Sequence, residues 1–352
     1  MTPPPKNMIA GNIKSGPTVG AGYARALLDF AVSRGADRAR LLDTAGIAEG
    51  TLEDADNRLP FSSYVALMRA AKIACNNPAL ALHFGEGIDM AEFSIVGLIC
   101  NAAPTMQEAF AEMNRYGRLV IEVDGVGEGP RFTLEPDAQG LWVVDRRSDP
   151  NAFPELTEST FARMAAHPRA FGVEQLMLEV HVTHPRPDHV AEYDRILRAP
   201  VTFSAPRNAY LMNAKYLHHP IALQPRYVFG VLSEHAQGLM DELEKSKTTR
   251  GRVEAHILPS LHTGAANIDT IARTLGMSRQ TLYRRLKEEG ATFEEVLESL
   301  RHRMALHYLQ GRNVSVNETA YLVGFSDPAA FSRAFKRWTG KSPKAMRESR
   351  QP

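Results

Sequence analysis

The sequence has 352 residues with an ordinary globular composition, 44% hydrophobic and 23% charged, and this length suggests two domains. The net charge of +1 is unevenly distributed: residues 256–352 carry 15 Lys and Arg against 9 Asp and Glu, which gives +6 there and −5 elsewhere, as expected if one domain binds nucleic acid. The sequence excludes a membrane-spanning protein, since no apolar stretch reaches the length of a membrane span. Its two cysteines, Cys75 and Cys100, are too few for a disulfide framework and do not have the spacing of zinc ligands.

The first 20 residues, MTPPPKNMIAGNIKSGPTVG, are rich in Pro and Gly and contain no apolar core run. This composition predicts a disordered tail over residues 1–20 and not a secretory signal peptide. We therefore expect a cytoplasmic protein whose two cysteines remain reduced and buried.

Residues 21–230 show a mixed pattern that predicts an α+β domain. The apolar spacing is helical as far as about residue 116, and the last of these helices begins with a capping box formed by Thr105 and Glu108. Further helices are predicted at residues 154–166 and 188–197. Alternating segments between turn residues predict strands at residues 119–123, 131–134, 141–145, 176–182, 201–203 and 210–212.

The ionisable side chains of this domain offer one metal candidate, formed by His181, His184 and His189 with Asp188. Because His181 and His184 bracket the end of a predicted strand and need not converge, we do not expect a metal site.

Other charged groups of this domain also have an ordinary interpretation. Glu155 and Glu158 share one face of a predicted helix, which is more typical of a solvated face than of an acid–base pair. A set of arginines could bind an anionic effector, but surface ion pairs are their commoner use. These arginines are Arg115, Arg118, Arg146 and Arg147. Without a nucleophile elbow, P-loop or dinucleotide motif, the sequence predicts no catalytic residue and no cofactor.

Residues 231–252 predict a connection between the domains. A helix is expected at residues 231–243, and the charged stretch EKSKTTRG at residues 244–251 reads as a linker. A helix at residues 253–261, which Pro259 should end, then opens a C-terminal domain of residues 253–350.

The C-terminal domain contains one short pattern twice, at residues 268–287 and 316–336. A small Ala permits close helix crossing, a Gly supplies positive φ at a turn, and a Ser offers an N-cap for the next helix. An apolar pair at i, i+4 then fixes the inward face of that helix. These positions are Ala272, Gly276, Ser278, Leu282 and Leu286 in the first copy, and Ala320, Gly324, Ser326, Phe331 and Phe335 in the second. The pattern predicts helix-turn-helix units at about residues 267–288 and 315–338.

The outward face of the second helix in each unit carries polar or small residues suited to a DNA major groove. They are Gln280, Tyr283, Arg284 and Lys287 in the first unit, and Ala329, Ser332, Arg333 and Lys336 in the second. The alternative is a pair of amphipathic helices with solvated basic faces. Two aligned copies with matched turn and outward face favour DNA binding.

A long helix at about residues 292–310 is predicted between the units. Thr292 and Glu295 form a capping box at its start, and Gly311 should end it. About 18 residues at 1.5 Å rise give roughly 27 Å, which can hold two recognition helices about one DNA turn apart. Ser315 and Glu318 should cap the helix that follows.

The stretches LGMSRQTLYRRLKEEG and VGFSDPAAFSRAFKRWTGKSP, with the helix between them, resemble the DNA-binding domain of AraC/XylS-type transcription regulators over about 90 residues. One departure is Thr319, where the family usually carries an apolar residue. The resemblance implies base and phosphate contacts at Arg279, Gln280, Thr281, Tyr283 and Arg284, and at Pro328, Ala329, Ser332 and Arg333. Because Ala and Ser read bases poorly, we expect the second unit mainly to anchor phosphates.

The segments GLICNAAPTMQEAFAEMNRYGRLV and HPRPDHVAEYDRILRAPVTFSAPRNAYLM resemble the arabinose-binding-type N-terminal domain of one AraC-family branch. That resemblance implies an effector-sensing domain that can also dimerise. It does not identify the effector or its binding residues.

These observations predict an α+β effector domain followed by an all-α DNA-binding domain with two helix-turn-helix units joined by a long helix. The expected partners are double-stranded DNA, a small-molecule effector, RNA polymerase and a second copy of the chain, and the resemblance favours activation. Two alternatives stay open. One is an enzyme fused to a DNA-binding module, of the alkyl-transfer repair type. The other is a constitutive DNA-binding protein whose N-terminal half only dimerises.

Overall fold

The computed structural model describes residues 16–126, 129–221, 226–310 and 314–348. They form two compact units, one ending at Met240 and one beginning at Asp241. Among these residues, no helix is both long and apolar enough to cross a bilayer.

The predicted disordered tail of residues 1–20 lies mostly outside the described residues, and its last part is wrong. Thr18–Gly20 forms strand β1, which pairs antiparallel with strand β2, Arg58–Pro60. The buried carboxylate of Glu122 accepts hydrogen bonds from the backbone N–H and the hydroxyl of Thr18. This long-range pairing orders a Pro- and Gly-rich segment that has little structural preference of its own.

Six helices follow in the N-terminal unit. They are α1 Ala21–Val32, α2 Arg38–Ala45, α3 Phe61–Ala74, α4 Leu80–Gly87, α5 Ile95–Ala102 and α6 Met106–Val120. Their core is rich in aromatic contacts, and Tyr23 stacks on Tyr64 with ring centroids 5.2 Å apart. The strand predicted at residues 119–123 is wrong, because α6 continues to Val120 and buries Tyr116 and Val120 on one face; Ile121 makes only an isolated bridge to Val19.

A five-stranded sheet completes this unit. Its strands are β3 Phe132–Pro136, β4 Leu141–Asp145, β5 Met177–His181, β6 Val201–Thr202 and β7 Ala209–Met212, in the order β3-β4-β7-β5-β6. Only the β5–β6 pair is parallel. Helices α7, Glu155–Ala166, and α8, Val190–Leu197, accompany the sheet. The predicted α+β class is confirmed.

Helix α7 is almost entirely buried, so the prediction that Glu155 and Glu158 form a solvated face is wrong. These residues are only 7% and 4% exposed. Helix α4 packs backbone to backbone against α7, since a Cβ on Gly85 would lie 2.1 Å from the Ser159 carbonyl oxygen. Each buried carboxylate has partners at one of its two oxygens: Lys72 lies 2.9 Å from Glu155, and Glu158 accepts hydrogen bonds from His189 and Tyr193.

The connection between the two units is helical, so the linker predicted at residues 244–251 is wrong. Helix α9 spans Arg226–Lys247 and contains the helix predicted at residues 231–243. Helix α10, Thr249–Ile257, starts after the single intervening residue Thr248, because the Thr248 hydroxyl accepts a hydrogen bond from the Gly251 N–H at 2.9 Å. Thr248, in the middle of the stretch read as a linker, therefore acts as an N-cap between two helices.

After a 3-10 turn that contains Pro259, the C-terminal unit consists of six more helices. They are α11 Ile268–Thr274, α12 Arg279–Glu288, α13 Phe293–Gln310, α14 Val316–Leu322, α15 Pro328–Thr339 and α16 Pro343–Glu348. The apolar faces of α12, α13 and α15 meet in one core with α10. The predicted all-α class with two helix-turn-helix units and a connecting helix is confirmed.

Candidate nucleic-acid interface

The two helix-turn-helix turns have the predicted geometry. Gly276 and Gly324 have φ of 68° and 81°, in the left-handed region that glycine adopts without strain. The N–H of the next residue returns to the buried alanine of the first helix in both turns, from Met277 to the Ala272 carbonyl at 3.0 Å and from Phe325 to the Ala320 carbonyl at 2.9 Å. The two turns are thus built in the same way.

The N-caps of the two recognition helices differ. Ser278 caps α12 as predicted, with its hydroxyl accepting from the Thr281 N–H at 3.1 Å. In the second unit the prediction of Ser326 is wrong. Asp327 caps α15 and accepts from the N–H groups of Ala329 and Ala330, because the extra residue in this copy moves the helix start. These backbone hydrogen bonds lower the pKa of Asp327.

The capping boxes predicted at the other two helices are confirmed. The Thr292 N–H donates to Glu295 at 2.8 Å, and the Glu295 N–H donates back to the Thr292 hydroxyl. Ser315 and Glu318 form the same reciprocal pair at the start of α14. The predicted helix end at Gly311 lies outside the described residues.

The inward apolar faces of both helix-turn-helix units pack against α13. The apolar pairs Leu282 with Leu286 and Phe331 with Phe335 are fully buried, as predicted. Thr319, the departure from the family pattern, is also buried, and its hydroxyl donates to the Ser315 carbonyl at 2.9 Å. Its polar atom is therefore satisfied within α14, and the core accepts it.

Helix α12 presents the predicted residues to solvent. Gln280, Tyr283, Arg284 and Lys287 are exposed, and so is Arg279, whereas Thr281 is half-buried beside the Ser278 hydroxyl. The Arg284 side chain is 71% exposed and lies 3.7 Å from Glu288. Exposed pairs of this kind contribute little free energy, so phosphates or bases can replace the carboxylates.

Helix α15 presents a smaller polar surface. Ala329, Arg333 and Lys336 are exposed, and Pro328 and Ser332 are half-buried. The Arg333 side chain is 74% exposed and lies 3.8 Å from Asp327. The outward face of α15 therefore offers two exposed cations among small side chains.

The second helix-turn-helix unit is fixed on α13 by polar contacts that the sequence did not predict. Trp338 donates its indole N–H to Glu298 at 2.6 Å, and Arg337 contacts the same carboxylate. Arg301 donates to the Gly324 carbonyl at the turn. No local signal identifies these residues, because Glu and Arg are equally common on the exposed face of a helix.

The histidines considered as metal ligands in the N-terminal unit do not all come together. His184 and His189 converge on Tyr193 and Glu158, whereas His181 contacts Glu179 on its own strand. Within the described ranges, no three His, Cys, Asp or Glu side chains are arranged to hold a metal ion.

The four arginines considered for an anionic effector have partners inside the protein. Arg115 donates to Gln237, Arg118 to Glu122, and Arg146 to Glu135. The expectation of a surface ion pair is wrong for Arg147, because its side chain is buried and lies 3.0 Å from Asp145.

Comparison with known proteins agrees with the two halves of the fold. Residues 35–221 match the family described as "Arabinose-binding domain of AraC transcription regulator, N-term", and residues 271–349 match "Helix-turn-helix domain". The chain is similar to the ornithine utilization regulator of Pseudomonas aeruginosa, at 27% identity over 93% of this chain and 95% of that protein.

Two further relatives carry regulator names. The HTH-type transcriptional activator RhaS of Escherichia coli is 39% identical over 24% of this chain and 31% of that protein. The crystal structure of the transcriptional regulator CdpR from Pseudomonas aeruginosa covers 93% of this chain and 98% of that chain, with 21% identity and a TM-score of 0.42. Because the first family covers more than half of the sequence and paired helix-turn-helix units follow it, the chain belongs to the AraC family of transcription regulators.

Proposed function

We propose that α12 reads base edges in the major groove and that α15 chiefly anchors the neighbouring phosphates. The observation that carries this assignment is the difference between two exposed faces in one domain. Helix α12 exposes Gln280 and Arg284, two residue types that bind bases through paired hydrogen bonds, whereas α15 exposes Ala329 and Arg333. Cations among small side chains, without a neighbouring amide to complete a base contact, suit phosphates better than a base pair.

The N-terminal unit is, in this proposal, the sensor of a small-molecule effector, and the chain acts in the cytoplasm as a homodimeric activator that contacts RNA polymerase. The arabinose-binding-type match and the acidic charge of this half support a sensor that does not itself bind DNA. The name of the ornithine utilization regulator makes ornithine the first ligand to test.

A thermal-shift screen of ornithine, other amino acids, fatty acids and aromatic acids tests the sensor. We expect one class to raise the unfolding temperature of the full chain and to change its DNA affinity in a gel-shift assay. A ligand that stabilises the chain without changing DNA affinity or transcription contradicts effector control. A constitutive DNA-binding protein would respond to none of the ligands.

An alkyl-transfer enzyme, the alternative from another functional class, finds no support at the cysteines. Burial raises the pKa of both thiols, to about 12 for Cys100, and each thiol donates to a carbonyl, from Cys75 to Ala31 and from Cys100 to Ala109. A nucleophilic cysteine needs the opposite environment, which lowers the thiol pKa.

Replacement of Arg284 by Ala tests the base-reading role. If its guanidinium makes a bidentate base contact, the variant should lose about 1–3 kcal/mol of binding free energy on specific DNA and far less on random DNA. Gel-shift titrations of both duplexes measure the difference. Equal losses on the two duplexes would reassign Arg284 to a phosphate.

A further inference from the structure

Glu289 joins the end of the first recognition helix to the start of α10. This residue follows directly after α12, and its carboxylate accepts hydrogen bonds from the N–H groups of Thr249 at 2.6 Å and Arg250 at 2.9 Å. These N–H groups belong to the first turn of α10, where a helix has no acceptors of its own and carries partial positive charge. A two-oxygen, charge-assisted contact of this kind fixes direction as well as distance.

The other side of α10 is fixed just as closely to the end of α9. The backbone N–H of Thr248 and its hydroxyl both donate to the Lys245 carbonyl, at 3.1 Å and 2.9 Å. A Cβ on Gly251 would lie 1.8 Å from that same carbonyl oxygen, so only glycine fits there. The corner between α9 and α10, residues 245–251, is thus a packed joint, and the direction in which α10 leaves α9 is set by hydrogen bonds and close contact.

Helix α9, the joint, α10 and Glu289 follow one another as a series of connected elements. Helix α9 begins in the N-terminal unit, where its Ser233 carbonyl accepts from Tyr116 and its Ala236 is part of the core. The same helix ends at the joint, α10 leaves the joint, and Glu289 holds the first turn of α10. A displacement of the joint would therefore reach the C-terminal end of α12 through a short series of directional contacts.

The second recognition helix is attached differently. Trp338 of α15 donates to Glu298 of α13, and Arg301 of α13 donates to the Gly324 carbonyl in the turn before α15. Helix α10 also contacts α13, through Arg250 to Ser299 and Arg303 to Glu254. Among these polar contacts, the one that joins the start of α10 directly to a recognition helix is made by Glu289, at the end of α12.

We propose that Glu289 is a positioning residue that couples the orientation of the first recognition helix to the α9–α10 joint, so that the effector-sensing unit adjusts one of the two DNA contacts. This proposal rests on the proposed function, because it assumes that α12 and α15 occupy separate grooves.

The test uses the full chain and a duplex enriched from a random-sequence library by that chain. Footprinting reads protection at the two DNA tracts separately, and Glu289→Gln keeps the shape of the side chain while removing its charge. We expect the variant to lose protection at the α12 tract about 3- to 30-fold, with the α15 tract changed much less. Glu294→Gln removes the same charge from an exposed position in the first turn of α13 and should change neither tract by as much.

A double-mutant cycle with Gly251→Ala separates coupling from simple damage. The added methyl group must displace the joint, so this variant should also weaken the α12 tract. In the Glu289→Gln background it should cause a smaller further loss, because glutamine has lost the charge and one of the two acceptor oxygens that transmit the displacement.

The outcomes distinguish a failure of the coupling role of Glu289 from a failure of the proposed DNA-binding function. Additive losses from Glu289→Gln and Gly251→Ala, or equal losses at both tracts with a lowered unfolding temperature, overturn the coupling role and leave Glu289 as a structural cap. A library that yields no enriched sequence contradicts the proposed function itself, and the coupling role falls with it.

Discussion

Burial divides the arginines of this protein into two classes with opposite roles. Arg284 and Arg333 are exposed on α12 and α15, where the proposed DNA contacts would replace their paired carboxylates. Arg147 is buried with only 6% of its side chain exposed, and Asp145, between Arg147 and Arg131, is fully buried. The sequence predicted the first class from helical spacing. It did not reveal the second, since burial depends on contacts between distant segments.

We predict that Asp145→Asn strongly destabilises the N-terminal unit. The substitution leaves Arg131 and Arg147 without their buried counter-charge, which typically costs about 3–5 kcal/mol. Urea unfolding measures the loss. The matched control is Glu135→Gln, whose partners Arg146 and Arg207 are both partly exposed, and this change should cost less than about 1 kcal/mol. Similar losses for the two variants would contradict the account.

The same carboxylate should make stability depend on acid pH. Burial alone would raise the pKa of Asp145, but the attraction of Arg131 and Arg147 outweighs it and holds the pKa below the ordinary aspartate value. The stabilisation is therefore complete above the unfolded-state pKa and is lost as pH falls through the lower folded-state value. Unfolding curves across that range should show a smaller acid-induced loss for Asp145→Asn than for the wild type, and equal slopes would contradict it.

At the scale of elements, the sequence predicted what depends on local chemistry. The glycine turns, the capping boxes and the inward apolar pairs of the C-terminal domain are short-range features, and the structure confirms them. The predictions that failed are those where distant contacts or one inserted residue decide, and three of them show this clearly. Helix α7 is buried by α4 and the sheet, Thr248 converts a linker into a helix corner, and Asp327 replaces Ser326 as a cap.

The two turn glycines make a matched test of this distinction. Both have positive φ, so Ala at either position should cost roughly 1–2 kcal/mol from backbone strain alone. A Cβ on Gly276 meets no atom within 4 Å, whereas a Cβ on Gly324 would lie 2.2 Å from the Leu261 carbonyl oxygen. We therefore expect Gly324→Ala to lower the unfolding temperature clearly more than Gly276→Ala. Equal shifts would show that the Leu261 contact does not constrain the turn.

At the scale of the whole molecule, the charge difference between the halves assigns DNA binding to the C-terminal unit. Within that unit, Lys336 on α15 is exposed and, in the proposed division of labour, contacts only phosphate. Lys336→Ala should weaken binding similarly on specific and random duplexes and reduce the salt dependence of log affinity by about one charge. A loss confined to the specific duplex would assign base reading to α15 as well.

Helix α13 carries both recognition helices of the C-terminal unit. Its 18 residues span about 27 Å, and both apolar pairs pack on it, so α12 and α15 belong to one core. Two helices held in this way should enter successive major grooves on one face of the duplex, about one helical turn apart.

Hydroxyl-radical footprinting of the full chain on an enriched duplex tests this claim most directly. We predict two protected tracts about 10 base pairs apart on the same face, with Arg284→Ala weakening one tract and Arg333→Ala the other. A single continuous tract, or two tracts that both variants weaken equally, would contradict a DNA-binding domain with two separately placed recognition helices.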